Sequence, residues 1–341
     1  MHSSSRLPIA IVGLSFGKHI ITLLRQPPAS ELFELAGVCD LRPEVTAEVA
    51  SQNGVKNYAS LEEVLRDPAI AVVGLFTRPQ GRAALLDQIL DAGKDVLTTK
   101  PFELDAAEAE RVLRKAQKLG RIIYINSPSP EATADLAQIE SWREKFDLGR
   151  LVSARGEVWA PYFEKADGSW MDDPAACPGG AMMRLGIYLI NDILRLTGPV
   201  EELKFTGTRL RTGRPTPDNA LLTLQLSGGV LATVFASFCI DDGDRWANAL
   251  TLNYERGTIY RNIADHQPIT EKIKSDLSLI MRGDQGRKVA AKAAFEELSG
   301  DYQWASLHRV MTRRELLSDS YIDLVVRAVH VLQFLRNSSI P

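Results

Sequence analysis

Short apolar runs alternate with amphipathic helical stretches from residue 8 to about residue 125, the pattern of βαβ units on a parallel sheet. Strands are predicted at Pro8–Val12, Phe33–Cys39, Ala69–Phe76, Asp95–Thr98 and Arg121–Ile125. The run 69–76 is almost continuously apolar, as a strand covered on both faces must be. Helices are predicted between them at Lys18–Leu24, Arg42–Asn53, Gly81–Ala92 and Asp105–Leu119. Pro27-Pro28 stops the first, and Gly54, Gly93 and Gly120 stop the others.

The rhythm changes at Ser127-Pro-Ser-Pro130. A helix over 131–146 is followed by a long strand, Leu151–Phe163, and by strands at Leu203–Leu210, Ala220–Leu226, Val230–Phe238, Asn248–Tyr254 and Thr258–Arg261. Ser227-Gly-Gly229 and Arg256-Gly257 join strand pairs as hairpin turns. Residues 266–300 are predicted to be a polar, partly basic helical region facing solvent. A last helix at about 319–336 starts from a Ser318-Asp319 cap. Its stripe of Tyr321, Leu324, Val325, Ala328, Val329, Leu332 and Leu335 is expected to pack on the first domain. The fold class is therefore α/β followed by α+β. Residues 1–126 form a doubly wound parallel sheet of the Rossmann type, and residues 127–341 an open, mostly antiparallel sheet with helices on one face.

At 341 residues the chain can bury two cores. Hydrophobic residues make up 45% and charged residues 24%, with a formal charge of −3, which argues against a nucleic-acid binder. Cys39, Cys177 and Cys239 are too dispersed for a metal site or a disulfide framework, so a reducing compartment is expected. No apolar run is long enough to span a membrane, and residues 1–6 carry no apolar leader segment. The expected location is the cytoplasm.

Three segments carry candidate chemistry. Gly13-Leu-Ser-Phe-Gly17 follows the first strand, where glycines permit a tight turn and a helix N-terminus can hold a pyrophosphate. Ser15 stands where the second glycine of the usual fingerprint would be, and Gly17 comes one residue early. Such glycines also serve as a plain turn. Asp40 ends the second strand, where a carboxylate can accept a ribose 2′-hydroxyl and would repel a 2′-phosphate. That favours NAD, while Arg42 leaves NADP possible; Asp40 could equally cap the helix before Pro43. Candidate cofactor contacts are Gly13, Ser15, Phe16, Gly17, Asp40, Arg42, Thr77, Arg78, Thr99 and Lys100. Lys100, before Pro101, lies at the carboxyl end of a buried strand, the edge where such sheets bind ligands. After Gly179-Gly180, Arg184, Tyr188 and Asn191 fall on one helical face at spacings of four and three, with Asp192 adjoining. A purely apolar core would not call for these residues.

Taken in order, these motifs resemble the glucose–fructose oxidoreductase/inositol dehydrogenase/MocA family over nearly the whole chain. The family's Glu-Lys-Pro is Thr99-Lys100-Pro101 here. Its Gly-Gly-Gly…Asp-x-Gly-x-His-x-x-Asp helix is Gly179-Gly180-Ala181…Arg184-Leu-Gly186-Ile-Tyr188-Leu-Ile-Asn191, similar to the glucose–fructose oxidoreductase-like branch, in which tyrosine replaces histidine. Gly149-Arg-Leu-Val152, leading into the long strand, is also similar. The resemblance implies a nicotinamide-dependent dehydrogenase or reductase acting on a hydroxyl- or carbonyl-bearing carbon of a sugar, sugar acid or cyclitol. It implies Lys100 as orienter or proton shuttle and Tyr188 as acid/base, with nearby positive charge favouring the tyrosinate. Arg184, Asn191 and Asp192 are then substrate-binding residues. Arg184 replaces the family's aspartate, and its fork of donors suggests a substrate with an acidic group or carbonyl oxygen. Because Ser15, Thr99, Arg184 and Asn191 all depart from the family pattern, a non-catalytic dinucleotide-binding regulator is the alternative. An open sheet in the second domain suggests a homodimer or homotetramer formed through it.

Overall fold

The computed structural model describes residues 6–265, 273–298 and 300–338. The chain divides into two compact units, one running to Asn126 and including Tyr302–Asp323, the other made of Ser127–Asp301 and the chain from Leu324 onward.

In the first unit the elements run β1 (Leu7–Val12), α1 (Leu14–Leu24), α2 (Ala29–Leu32), β2 (Phe33–Cys39), α3 (Pro43–Asn53), β3 (Lys56–Asn57), α4 (Leu61–Arg66), β4 (Val72–Leu75), α5 (Arg82–Asp91), β5 (Asp95–Thr98), α6 (Ala106–Lys118) and β6 (Ile123–Ile125). All six strands are parallel, in the order β3-β2-β1-β4-β5-β6. This is the doubly wound Rossmann order, with its switch point between β1 and β4. Every residue of β4 and β5 is buried, which accounts for the uninterrupted apolar run of β4 and the apolar centre of β5. Gly54, Gly93 and Gly120 adopt positive φ at the ends of α3, α5 and α6, the left-handed conformation a glycine stop supplies.

The second unit contains α7 (Ala134–Lys145), β7 (Leu151–Trp159), α8 (Ile187–Leu196), β8 (Val200–Thr208), β9 (Asn219–Leu226), β10 (Val230–Ser237), β11 (Ala247–Tyr254), β12 (Gly257–Ala264), β13 (Ser275–Gly283) and β14 (Gly286–Phe295). They build an eight-stranded sheet in the order β14-β13-β12-β11-β7-β10-β9-β8, antiparallel except where β10 runs parallel to β7. One face is buried: Ala154, Gly156 and Val158 of β7 alternate with more exposed Arg155, Glu157 and Trp159. The absence of a Cβ at Gly156 lets Leu189 of α8 lie against the sheet.

Two expectations fail here. The region 266–300 was expected to be helical, yet its described residues form the β13–β14 hairpin; residues 266–272 and 299 lie outside the described residues. Polar residues along β14, an edge strand exposed over its first four positions, give the segment its solvated, helix-like composition; charged edges of this kind discourage strand addition. The long strand after residue 151 ends at Trp159 rather than Phe163, because the chain turns away after Ala160. The chain closes with α9 (Trp304–Arg313) and α10 (Asp319–Asn337). Ser318 caps α10 through its Oγ, which accepts from Tyr321 N. Beyond its first turns α10 belongs to the second unit, where Arg327 donates to Leu194 and Gly198 carbonyls.

The turn that launches the 182–196 helical segment depends on glycine. Gly179 and Gly180 have φ of 69° and 48°, and a Cβ on Gly180 would sit 1.9 Å from the Pro217 carbonyl oxygen. Gly180→Ala is expected to cost roughly 3 kcal/mol through strain and clash, lowering the second unit's thermal midpoint; an unchanged melting curve would contradict this.

Candidate active site

The first unit's candidate residues all sit where its parallel strands end. Gly13 follows β1 with φ 90°, and a Cβ there would lie 2.7 Å from the Phe76 carbonyl oxygen, so only glycine admits this close approach between the β1 and β4 ends. Gly17 plays the packing role of a third glycine: a Cβ would lie 2.7 Å from Ile11. Ser15 and Phe16 are exposed in the first turn of α1, with Phe16 packed at its edge against His19 and Phe76.

Asp40 caps a helix, though not the one expected of it. Its Oδ2 accepts the Leu14 N–H at 2.7 Å, capping α1 rather than α3, and its Oδ1 accepts the Arg42 N–H at 3.1 Å and Nε at 2.8 Å. Burial alone would raise the Asp40 carboxyl, but the bonds from Arg42 and Leu14 outweigh it and hold it at about 2. Arg42 Nη2 also reaches Ser15 Oγ at 3.1 Å. The carboxylate, its cation and the serine therefore form one constellation beside the α1 N-terminus.

Thr77 and Arg78 follow β4; Arg78 is exposed, and the buried Thr77 Oγ1 has no hydrogen-bond partner among the described residues. Thr99 is buried and Lys100 partly so, and the Lys100 N–H donates to Asn126 Oδ1 at 3.0 Å, just past the end of β6. Sequence reasoning passed over Arg82. It is fully buried, and its guanidinium donates to carbonyl oxygens of the Thr77 and Thr99–Phe102 turns. The available signal was an arginine opening an otherwise apolar helical stripe directly after Gly81.

In the second unit, Met182–Gly186 is a π-helical turn leading into α8. The wider turn departs from the regular helical spacing of four between Arg184 and Tyr188. Arg184 makes a two-pronged pair with Glu164, Nη1–Oε2 and Nη2–Oε1 both at 2.6 Å, and its guanidinium lies over the Tyr162 and Phe238 rings. A substrate carboxylate would have to displace Glu164 from that fork. Glu164, unremarked in sequence, is held low first by its hydrogen bonds from Arg184. Arg214, almost wholly buried, binds Asp167 and Asp172 and lies 3.4 Å from Glu164, so two arginines clasp the 162–172 segment.

Tyr188 keeps some exposure, with its ring against Gly300, where no Cβ could fit. Burial of the phenol, with the negative charge of Asp301 adding to it, pushes its pKa up. The tyrosinate expected from sequence is thus disfavoured. Asn191 is buried and donates to Ser127 Oγ at 2.9 Å, while its Oδ1 has no hydrogen-bond partner among the described residues. Asp192, expected beside them, is engaged within the protein. It is buried and pairs at 2.7 Å with the fully buried Arg261, which also meets Asp135 and Asn248. The inward turn of α8 that buries Ile190 and Ile193 takes Asp192 with it. Among the described residues there is no cluster of side chains suited to a metal, and no helix long and apolar enough to cross a membrane.

A Rossmann sheet with a glycine turn, a strand-end aspartate and a strand-end lysine defines a dinucleotide-dependent oxidoreductase. Models of one family match residues 7–127 (oxidoreductase family, NAD-binding Rossmann fold) and 136–260 (GFO/IDH/MocA C-terminal domain), and the chain belongs to that family. It is 28% identical over 256 residues to trans-1,2-dihydrobenzene-1,2-diol dehydrogenase of Oryctolagus cuniculus, covering 73% of each chain. A protein from Desulfitobacterium hafniense superimposes with a TM-score of 0.79 at 15% identity, over 96% of this chain and 94% of that one. A 3-ketoreductase from Actinomadura kijaniata in complex with NADP superimposes with a TM-score of 0.71 at 17% identity, over 98% of both chains.

Removing Asp192 leaves Arg261 short of a buried counter-charge. Asp192→Ala is expected to destabilise the protein by about 3–5 kcal/mol while leaving KM of the surviving folded enzyme unchanged. A raised KM with unaltered stability would restore Asp192 as a substrate ligand.

Proposed function

We propose that this oxidoreductase exchanges hydride with a nicotinamide cofactor at a secondary hydroxyl- or carbonyl-bearing carbon of a hydroxylated ring, of the sugar, sugar-acid or cyclitol type, with Lys100 and Tyr188 carrying the proton. The observation that carries this reading is Lys100 fixed through its own N–H to Asn126 at the carboxyl edge of an NAD-binding sheet. Two names among the similar proteins support the substrate class: one is a ring-diol dehydrogenase and the other a 3-ketoreductase.

The residues present fit the cofactor. The Gly13 approach leaves room that a Cβ would fill, and Thr77 Oγ1 is buried without a partner. The α1 amides at Ser15 and Phe16 would hold the pyrophosphate, Asp40 the ribose, and Thr77 a neighbouring polar group. When bound, the nicotinamide supplies the hydride acceptor or donor. Tyr188, kept protonated, donates to the carbonyl oxygen during reduction; Lys100 orients that oxygen and passes the proton on during oxidation. Arg42 neutralises Asp40, so NADP would be accepted only if Arg42 swung away to meet the 2′-phosphate. With Arg184 engaged by Glu164, a neutral polyol fits better than an acid. The exposed sheet face, a band of Thr223, Thr233, Arg155, Thr251 and Tyr260 flanked by Leu221, Phe235 and Leu231, supports self-association through that sheet; a monomer mass by light scattering would remove this part.

A panel of cyclic diols, cyclitols, sugars and sugar acids, followed at the reduced-nicotinamide absorbance, tests the reading. Turnover is expected with NAD for a neutral ring diol or sugar, and silence with cofactor bound would favour a regulator. Lys100→Met and Tyr188→Phe should each lower kcat by about 10²–10⁴ with cofactor affinity kept; wild-type kcat in either variant would withdraw that residue's role. Asp40→Ala should shift the NAD-to-NADP ratio of kcat/KM by about tenfold or more toward NADP, equivalent to ~1.4 kcal/mol, and an unchanged ratio would count against Asp40 at the ribose.

A further inference from the structure

We infer that Arg82 is the positioning residue for Lys100, an inference that rests on the reading of Lys100 as a proton carrier. Arg82 opens α5 and is 1% exposed. Its Nη1 donates to Thr99 O at 2.8 Å, Pro101 O at 2.5 Å and Phe102 O at 3.1 Å, and its Nη2 to Thr77 O. The carbonyls on both sides of Lys100 are thus held by one planar group, and the same group ties that turn to the turn after β4. The Lys100 N–H is held independently by Asn126 Oδ1 at 3.0 Å. The main chain of Lys100 is fastened before, at and after the residue, which sets the direction its side chain leaves the backbone.

Fold stability alone does not call for this arrangement. A buried guanidinium is costly, and an apolar side chain could fill the space between α5 and β5. Arg82 is directed at backbone carbonyls rather than at a side-chain carboxylate, and its Nε has no hydrogen-bond partner among the described residues. The nearby buried Glu103 is itself fixed by the N–H groups of Gly81, Ala83 and Leu104, at 3.3, 2.9 and 2.7 Å. The whole device lies at the sheet edge that binds ligands. Lysine could not replace it, because a single ammonium lacks the planar fork that spans two turns.

Two readouts test this on the full-length protein with NADH as the probe. The first is amide hydrogen exchange of a peptide covering 98–104 in Arg82→Lys and, should it fold, Arg82→Met. Faster exchange there, with β1 and β4 protection kept, is expected; unchanged exchange would overturn the inference. The second is the split of kinetic constants on a substrate found in the panel. Arg82→Lys should lower kcat by about 10–100-fold, as a displacement near 1 Å does, with the NADH Kd and substrate KM within about twofold. Unchanged kcat, or a rise in Kd and KM at constant kcat, would overturn it. Lys100→Met separates the two layers. If it keeps wild-type turnover, the role of Lys100 fails. If it is inactive while Arg82→Lys turns over normally, the positioning role alone fails.

Discussion

All six strands of the first unit end at one edge, and a parallel sheet leaves backbone N–H and C=O groups there without ladder partners. Satisfying those groups is the constraint on which the rest of the site depends. The chain meets it with side chains. Arg82 takes the carbonyls after β4 and β5, Asn126 the Lys100 amide, and Asp40 the first amide of α1. Each of these contacts also fixes a residue to which the proposed function gives a role. Gly13 and Gly17 complete the edge by letting backbone and helix come closer than any side chain would allow.

Arginine serves a different end in the second unit. Arg184, Arg214 and Arg261 are each paired with carboxylates, at Glu164, at Asp167 and Asp172, and at Asp135 and Asp192. Breaking such a partly or wholly buried pair strands a charge, which opposes separation of the loops and helices they join. The 162–172 segment is held this way, and Arg184 and Asp192 of the 182–196 helical segment are fixed by the same means. Burial favours the protonated form of the Tyr188 phenol, and the Asn191 side-chain oxygen has no hydrogen-bond partner among the described residues.

The first unit was largely legible because period, length and punctuation agree there. Phe33–Cys39 and Asp95–Thr98 fall where the apolar runs place them, and Gly54, Gly93 and Gly120 stop their helices. The β13–β14 hairpin was not legible, since an edge strand covered with polar residues carries little alternation to distinguish it from a solvated helix. Residue type and strand-end position were legible for Lys100 and Asp40, which lie just past the ends of β5 and β2. They did not reveal partners. Nothing in the order of residues says that Arg184 meets Glu164, that Asp192 turns inward to Arg261, or that Arg82 reaches past two turns, because each pairing joins segments through a fold the local pattern does not encode. The π-helical turn at Met182–Gly186 is a further case: it rephases a helix whose sequence reads as regular.

The central claim is that the chain moves hydride and does not merely bind the cofactor. Incubation of the protein with 4-deuterated NADH and a cyclic hydroxyketone, followed by mass spectrometry of the products, tests it most directly. The account predicts one deuterium on the new carbinol carbon. Bound cofactor with no deuterium transferred to any ketone, sugar or keto-sugar offered would contradict it.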